Sequence, residues 1–248
     1  MNRYESIGIK QTLHLELMNR ALDLLLDEFE TKAIRADLMA LINNSSSNQD
    51  DNKRSKQTAA FALTNLMNTW ITPSPELIPL RNDLLVYCRN SHVDRMAAHW
   101  AMVSASYPFW FNVSRQVGRL FSLQDIITQS QITSRLKEQY GDRQTVSRFG
   151  RYVIRSFVNW GVMGDTETSG CYIKSPSIKI ESPKISQLMI EAALLAIPEG
   201  RCALDALYKT PAFFPFQFTI IPKSITIGST RLETSRYNLD HEMISIRH

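Results

Sequence analysis

Between Gln11 and Ile42, apolar residues recur at three- and four-residue steps. Leu15, Met18, Leu22, Leu25 and Leu26 share one face, which predicts an amphipathic helix, with a second from Thr31. Residues 43–56, NNSSSNQDDNKRSK, contain no apolar side chain and predict a flexible linker. Helical periodicity resumes over Lys56–Trp70, stops at Pro73, Pro75 and Pro79, and returns over Leu80–Cys88. Pro108 then divides two apolar helices, 92–106 and 109–121, because the residue before a proline is pushed out of helical geometry.

From Leu123 the pattern predicts a short extended piece (QDIIT), a helix over 130–140, a break at Gly141 and a long helix from Arg143. A hairpin across GDTETSG follows. In SPSIKIESPK a strand leads to a helix with Ser182 as N-cap and Pro183 at its first position. A shorter helix, ALDALYK, comes next, and alternation at the C-terminus predicts a pair of strands. The fold class expected is mainly α, with a helical region over 1–104, a central winged helix-turn-helix over 105–182 and a small α+β segment over 183–248. That last segment repeats the order helix, helix, hairpin, so one reading of it is a second, degenerate winged module.

The winged reading rests on the order helix, strand, helix, helix, strand, strand, in which the third helix enters the major groove and the hairpin rides the adjacent backbone. Charge adds to it. The chain carries 28 Lys/Arg and 24 Asp/Glu. Residues 108–181 hold ten cations and six acids, leaving 18 of each sign elsewhere, so the net +4 sits in the middle third. With Arg143 at zero and 100° per residue, Val146, Phe149, Val153, Phe157 and Trp160 fall at about 240–320°. Gln144, Arg148, Arg151 and Arg155 fall at about 80–140°, on the other side of the helix. Like charges at such spacing destabilise a helix by a few tenths of a kcal/mol, so an acidic partner is expected to relieve them. Duplex DNA is the partner predicted, contacted by Arg143, Gln144, Ser147, Arg148, Arg151 and Arg155, with Lys174 on or beyond the wing. Asp142, Thr145 or both are expected to cap the helix. An acidic protein would relieve the same repulsion, so a scaffold that docks protein partners is the competing expectation.

Other chemistry is thin. Cys88, Cys171 and Cys202 lack paired spacing and read as reduced thiols. His92, Asp94 and His99 suggest a ligand set, but residues 92 and 99 stand about two helical turns, roughly 10 Å, apart, too far for one metal, and a capping or core role fits better. Asp50 and Asp51 lie in the polar run and read as solvated charge. Tyr107, Phe109, Trp110 and Phe111 read as core rather than as a base-stacking platform. No phosphate-binding loop, nucleophile elbow or zinc-protease motif occurs. No catalytic residue, metal or cofactor is therefore expected. No apolar run approaches the ~18 residues of a membrane span, and the N-terminus lacks the order of a secretory signal, so a cytoplasmic protein is expected.

Three stretches carry a resemblance: RSKQTAAFALTNLMNTW, AAHWAMVSASYPFWFNVSRQVGRLF and DRQTVSRFGRYVIRSFVNWGVM, together spanning about 54–163. The last contains Thr145-Val146-Ser147-Arg148 and closes on Gly161-Val162-Met163. In layout the chain resembles the A protein family of BREX phage-defence systems. The resemblance implies a non-enzymatic, mainly helical protein that binds DNA as an accessory among other defence-system proteins, with Arg148, Arg151 and Arg155 at matching positions. The segment after residue 182 is a departure from that layout.

Overall fold

Helices α1 (Leu15–Leu26) and α2 (Thr31–Ser45) occupy the first two amphipathic stretches. The structure is a computed structural model and describes residues 3–4, 6–45, 52–91, 93–219, 229–238 and 241–247. α1 starts at Leu15 rather than Gln11 because residues 9–15 form a strap across a later helix. There the Leu13 amide donates to Ser156 Oγ at 2.8 Å and the Leu15 amide to Asn159 Oδ1 at 2.8 Å. Helical backbone also enters both ends of the polar run, since α2 reaches Ser45 and α3 (Asn52–Leu66) starts well before Lys56. Asp50 and Asp51 lie outside the described residues. α3 ends in a π-helical turn over Met67–Ile71, closed by the Thr72 amide on the Met67 carbonyl.

After a 3-10 turn (Pro75–Leu77) come α4 (Ile78–Asn90), α5 (Arg95–Ser106) and α6 (Pro108–Phe121), the last two divided at Pro108 as predicted. Trp70, Trp100 and Trp110 are fully buried. Trp100 lies edge-on to Trp110 with ring centroids 5.3 Å apart. Tyr107, Phe109 and Phe111 are also buried, as the core reading requires. His99 is a core residue. Trp70 Nε1 donates to His99 Nδ1 at 3.0 Å, which leaves Nε2–H to donate to Asn19 Oδ1 at 3.0 Å. Asp94 instead accepts from the Tyr87 hydroxyl, and His92 lies outside the described residues.

Burial pushes the His99 pKa down to about 3, below the unfolded value of about 6.5. The neutral ring thus contributes stability that is fully present above pH ~6.5 and lost as pH falls toward the folded value, at about 1.4 kcal/mol per pH unit. Urea unfolding at pH 7 and pH 5 is expected to show a loss of about 2 kcal/mol in the wild type that His99→Gln lacks. Parallel losses in the two proteins would refute a neutral buried imidazole.

β1 (Ile126–Thr128), α7 (Gln129–Tyr140), α8 (Gln144–Asn159), β2 (Met163–Asp165) and β3 (Cys171–Lys174) complete the winged order begun by α6. The three strands form one antiparallel sheet in the order β1-β3-β2, with Ile127 opposite Tyr172 and Gly164 opposite Ile173. α7 starts with a reciprocal cap: Thr128 Oγ1 accepts from the Gln131 amide, and the Gln131 side chain accepts from the Thr128 amide. It ends at Gly141, whose φ of 85° is a conformation that a side chain resists.

The C-terminal segment repeats this topology. β4 (Ile178–Ile180) leads to α9 (Pro183–Leu195), capped by Ser182 as predicted. Then come β5 (Arg201–Ala203), α10 (Leu204–Tyr208), a 3-10 turn (Pro211–Phe213), β6 (Phe216–Phe218), β7 (Leu232–Asn238) and β8 (His241–Ile246). β5, β8 and β7 form an antiparallel sheet in that order, which matches β1-β3-β2. The third helix of this second module is reduced to the 3-10 turn, and β6 pairs parallel with β4 instead. The turn is buried against α6, where a Cβ on Gly118 would stand 1.9 Å from the Pro211 carbonyl oxygen.

One hydrophobic cluster runs from Ile9 to Ile244. Trp100 stacks on Phe157 of α8 at 5.2 Å and meets Phe214 and Phe216 edge-on at 5.7 and 5.5 Å. An ion cluster fastens the approach to β7: Arg231 donates to buried Glu191 of α9 at 2.7 Å and to Asp83 of α4 at 2.9 Å. Cys88, Cys171 and Cys202 are free thiols. Among the described residues no helix is long and apolar enough to cross a membrane.

Candidate functional site

α8 is held by the stripe read from its sequence: Val146, Phe149, Val153, Phe157 and Trp160 are all buried. Its opposite face carries the predicted contact residues. Gln144, Arg148, Arg151 and Arg155 are exposed, and Ser147 is half-buried. Neither Asp142 nor Thr145 caps the helix. The N-cap is Arg143, in extended geometry and without a side-chain cap hydrogen bond. Asp142 is drawn away by Lys137, Nζ to Oδ1 2.8 Å, and the Arg143 guanidinium donates to the Tyr140 carbonyl at 2.9 Å. No side chain therefore caps the positive end of α8, and the one carboxylate beside it, Asp142, is spent on Lys137, which leaves that end open to an external anion.

Arg148 and Arg151 have no acidic side chain within 4.0 Å among the described residues. With Lys137, Asp142, Gln144, Thr145 and Ser147 they line a shallow depression of about 510 Å³, in which Asp142 is the one carboxylate and is paired with Lys137. Arg155 differs. Its NH1 donates to both carboxylate oxygens of Asp165 on β2, at 2.6 and 2.9 Å, so the repulsion expected along this face is partly relieved from within. Both side chains are about half exposed, and such a pair contributes little stability. Its consequence is electrostatic, because Arg155 is committed to the wing.

Lys174 lies on the wing, as expected. Lys174 is exposed, but it ends β3 opposite Met163, at the far end of the hairpin from the tip at 166–170, and lines none of the depressions around α8. Lys179 belongs to β4 and a different sheet. The tip itself carries exposed Glu167, and with Arg151, Arg155 and Asp165 it borders a depression of about 700 Å³.

On the other flank of α8 lies a groove of about 640 Å³ that sequence reasoning missed. Lys10, Gln11, Gln57, Thr58, Phe61, Arg148, Phe149 and Tyr152 line it, none of them acidic. The strap places Lys10 there: besides the bonds to Ser156 and Asn159, Trp160 Nε1 donates to the Leu13 carbonyl at 2.9 Å and Asn65 Nδ2 to the Gln11 carbonyl at 3.3 Å.

The arrangement offers forked guanidinium donors and neutral amide and hydroxyl donors on an exposed helix, the chemistry that meets phosphate oxygens and base edges. Among the described residues no three His, Cys, Asp or Glu side chains converge. Compared with protein-family models, curated proteins and solved structures, the chain finds no match.

Proposed function

We propose that the protein is a non-enzymatic, cytoplasmic DNA-binding accessory that presents α8 to the major groove of duplex DNA. The observation that carries this reading is the pair Arg148 and Arg151. They are exposed and without acidic partners on the outer face of the third helix of a winged module, beside a helix N-terminus that no carboxylate caps. The stretches over 54–163 that resemble the A proteins of BREX systems support a place in a phage-defence locus.

A salt titration tests it. Arg143, Arg148 and Arg151, each meeting one phosphate, contribute about −2.7 to the log-log slope of affinity against salt on duplex DNA. Binding to single-stranded DNA or RNA at equal or higher affinity, or no duplex binding at 50 mM salt, would remove the proposal. A second reading, a scaffold that docks proteins, draws on the wing sheet, where the paired Ile126 and Ile173 are 53% and 44% exposed, and on Leu123 in the turn before it, 75% exposed. It predicts no duplex binding and co-purification with a neighbour that survives loss of the arginines.

A further inference from the structure

A helix lying in a major groove about 12 Å wide has a phosphate strand on each flank. In winged proteins the hairpin ordinarily attends to one of them. Here the hairpin is poorly suited to do so. Its Asp165 holds Arg155, and Glu167 at the tip is exposed with no basic side chain within 4.0 Å among the described residues, so phosphate approaching the tip meets an exposed carboxylate. The flank facing α3 is built the other way. With Arg143 at zero, Tyr152 and Phe149 project at about 180° and 240°, which turns that side of α8 toward the groove holding Lys10 and Gln57.

We infer that the N-terminal strap and α3, rather than the wing, hold the second phosphate backbone of a bound duplex. Lys10 is exposed, yet its Nζ sits 5.2 Å from the centre of the Phe61 ring, which restrains the ammonium at the rim of the groove. Arg148 sits over Phe149 at 5.2 Å across from it, so one guanidinium serves both the outer face of α8 and the groove. Gln11, Gln57 and Thr58 supply neutral donors of the kind that bind phosphate oxygens, with no carboxylate among the residues lining the groove. In sequence, Lys53, Arg54 and Lys56 immediately precede Gln57 on α3. The strap's bonds to Ser156, Asn159, Trp160 and Asn65 fix this cation to α8, so helix and groove meet DNA as one rigid surface.

The inference rests on the DNA-binding reading, and the experiment separates the two. Affinity for a 20-base-pair fluorescent duplex is measured by anisotropy from about 0.05 to 0.3 M salt, the range over which phosphate contacts are read. The full chain is compared with Lys10→Ala/Gln57→Ala, Lys10→Glu and the wing variant Thr166→Ala/Ser169→Ala. The groove double variant is expected to reduce the slope by about 0.9 and affinity at 0.1 M by about eightfold. Lys10→Glu should lose more, while the wing variant stays within about twofold of the wild type. All four substituted positions lie outside the core, and matched circular-dichroism melts confirm that the variants fold. If the wild type binds and the groove variants match it while the wing variant weakens, the wing holds the backbone and the inference falls alone. If the wild type does not bind duplex DNA, the reading beneath it falls as well.

Discussion

Arg148→Ala/Arg151→Ala is expected to bind duplex DNA about sixtyfold more weakly than the wild type at 0.1 M salt, with a salt slope shallower by about 1.8. Each lost phosphate contact removes about 0.9 from the slope, and neither arginine has an acidic partner among the described residues to blunt the loss. Arg155→Ala is the informative companion. Its NH1 is already held by both carboxylate oxygens of Asp165, so Arg155 makes no phosphate contact and its loss should leave the slope close to that of the wild type, while the freed carboxylate lowers affinity. A count of arginines along the helix would rank the three equally, at about −3.6 for four contacts including Arg143. An equal effect of all three single alanine variants would show that the Arg155–Asp165 pair opens on binding.

Gly118→Ala should lower the melting temperature by about 4–8 °C. Helix propensity argues the opposite sign, since alanine is better than glycine inside a helix by about 1 kcal/mol. Overpacking outweighs it. The added Cβ would lie 1.9 Å from the Pro211 carbonyl oxygen and 2.7 Å from its carbon, both backbone atoms, so the 3-10 turn must retreat from α6. Such displacement costs typically 1–3 kcal/mol, and contact with two backbone atoms puts it at the upper end, about 3 kcal/mol before the propensity gain is subtracted. A net loss near 2 kcal/mol in a chain of this size corresponds to the stated shift. Calorimetry decides it: a raised melting temperature would mean that the second module does not sit on α6 as described.

Local rules carried most of the fold. The Ser182-Pro183 start, the stop at Gly141 and the division at Pro108 are each set by one or two residues whose backbone preferences dominate their surroundings. The apolar stripe of α8 was equally readable, because the side opposite its arginines had to be buried. Relations between elements were not readable. Asp165 lies ten residues from Arg155, in another element, and only the β2–β3 pairing brings it within reach of the guanidinium. Lys10 is distant in sequence from Arg148 and joins it through main-chain bonds of the strap, which leave no periodic trace. The start of α3 was hidden because its first residues are all polar and carry no apolar period to count. The third helix of the second module was obscured differently, its place being taken by an aromatic-rich turn that buries Phe213 and Phe214.

That substitution bears on the form of the target. Two winged modules with two full third helices would present two reading heads in fixed tandem, and their preferred sites would be direct repeats. On the proposed DNA-binding reading, the described residues offer one head, since the corresponding turn of the second module is sealed against α6. A single copy should therefore footprint one short, asymmetric stretch of duplex at one-to-one stoichiometry, and any palindrome in its sites would have to come from pairing of whole chains.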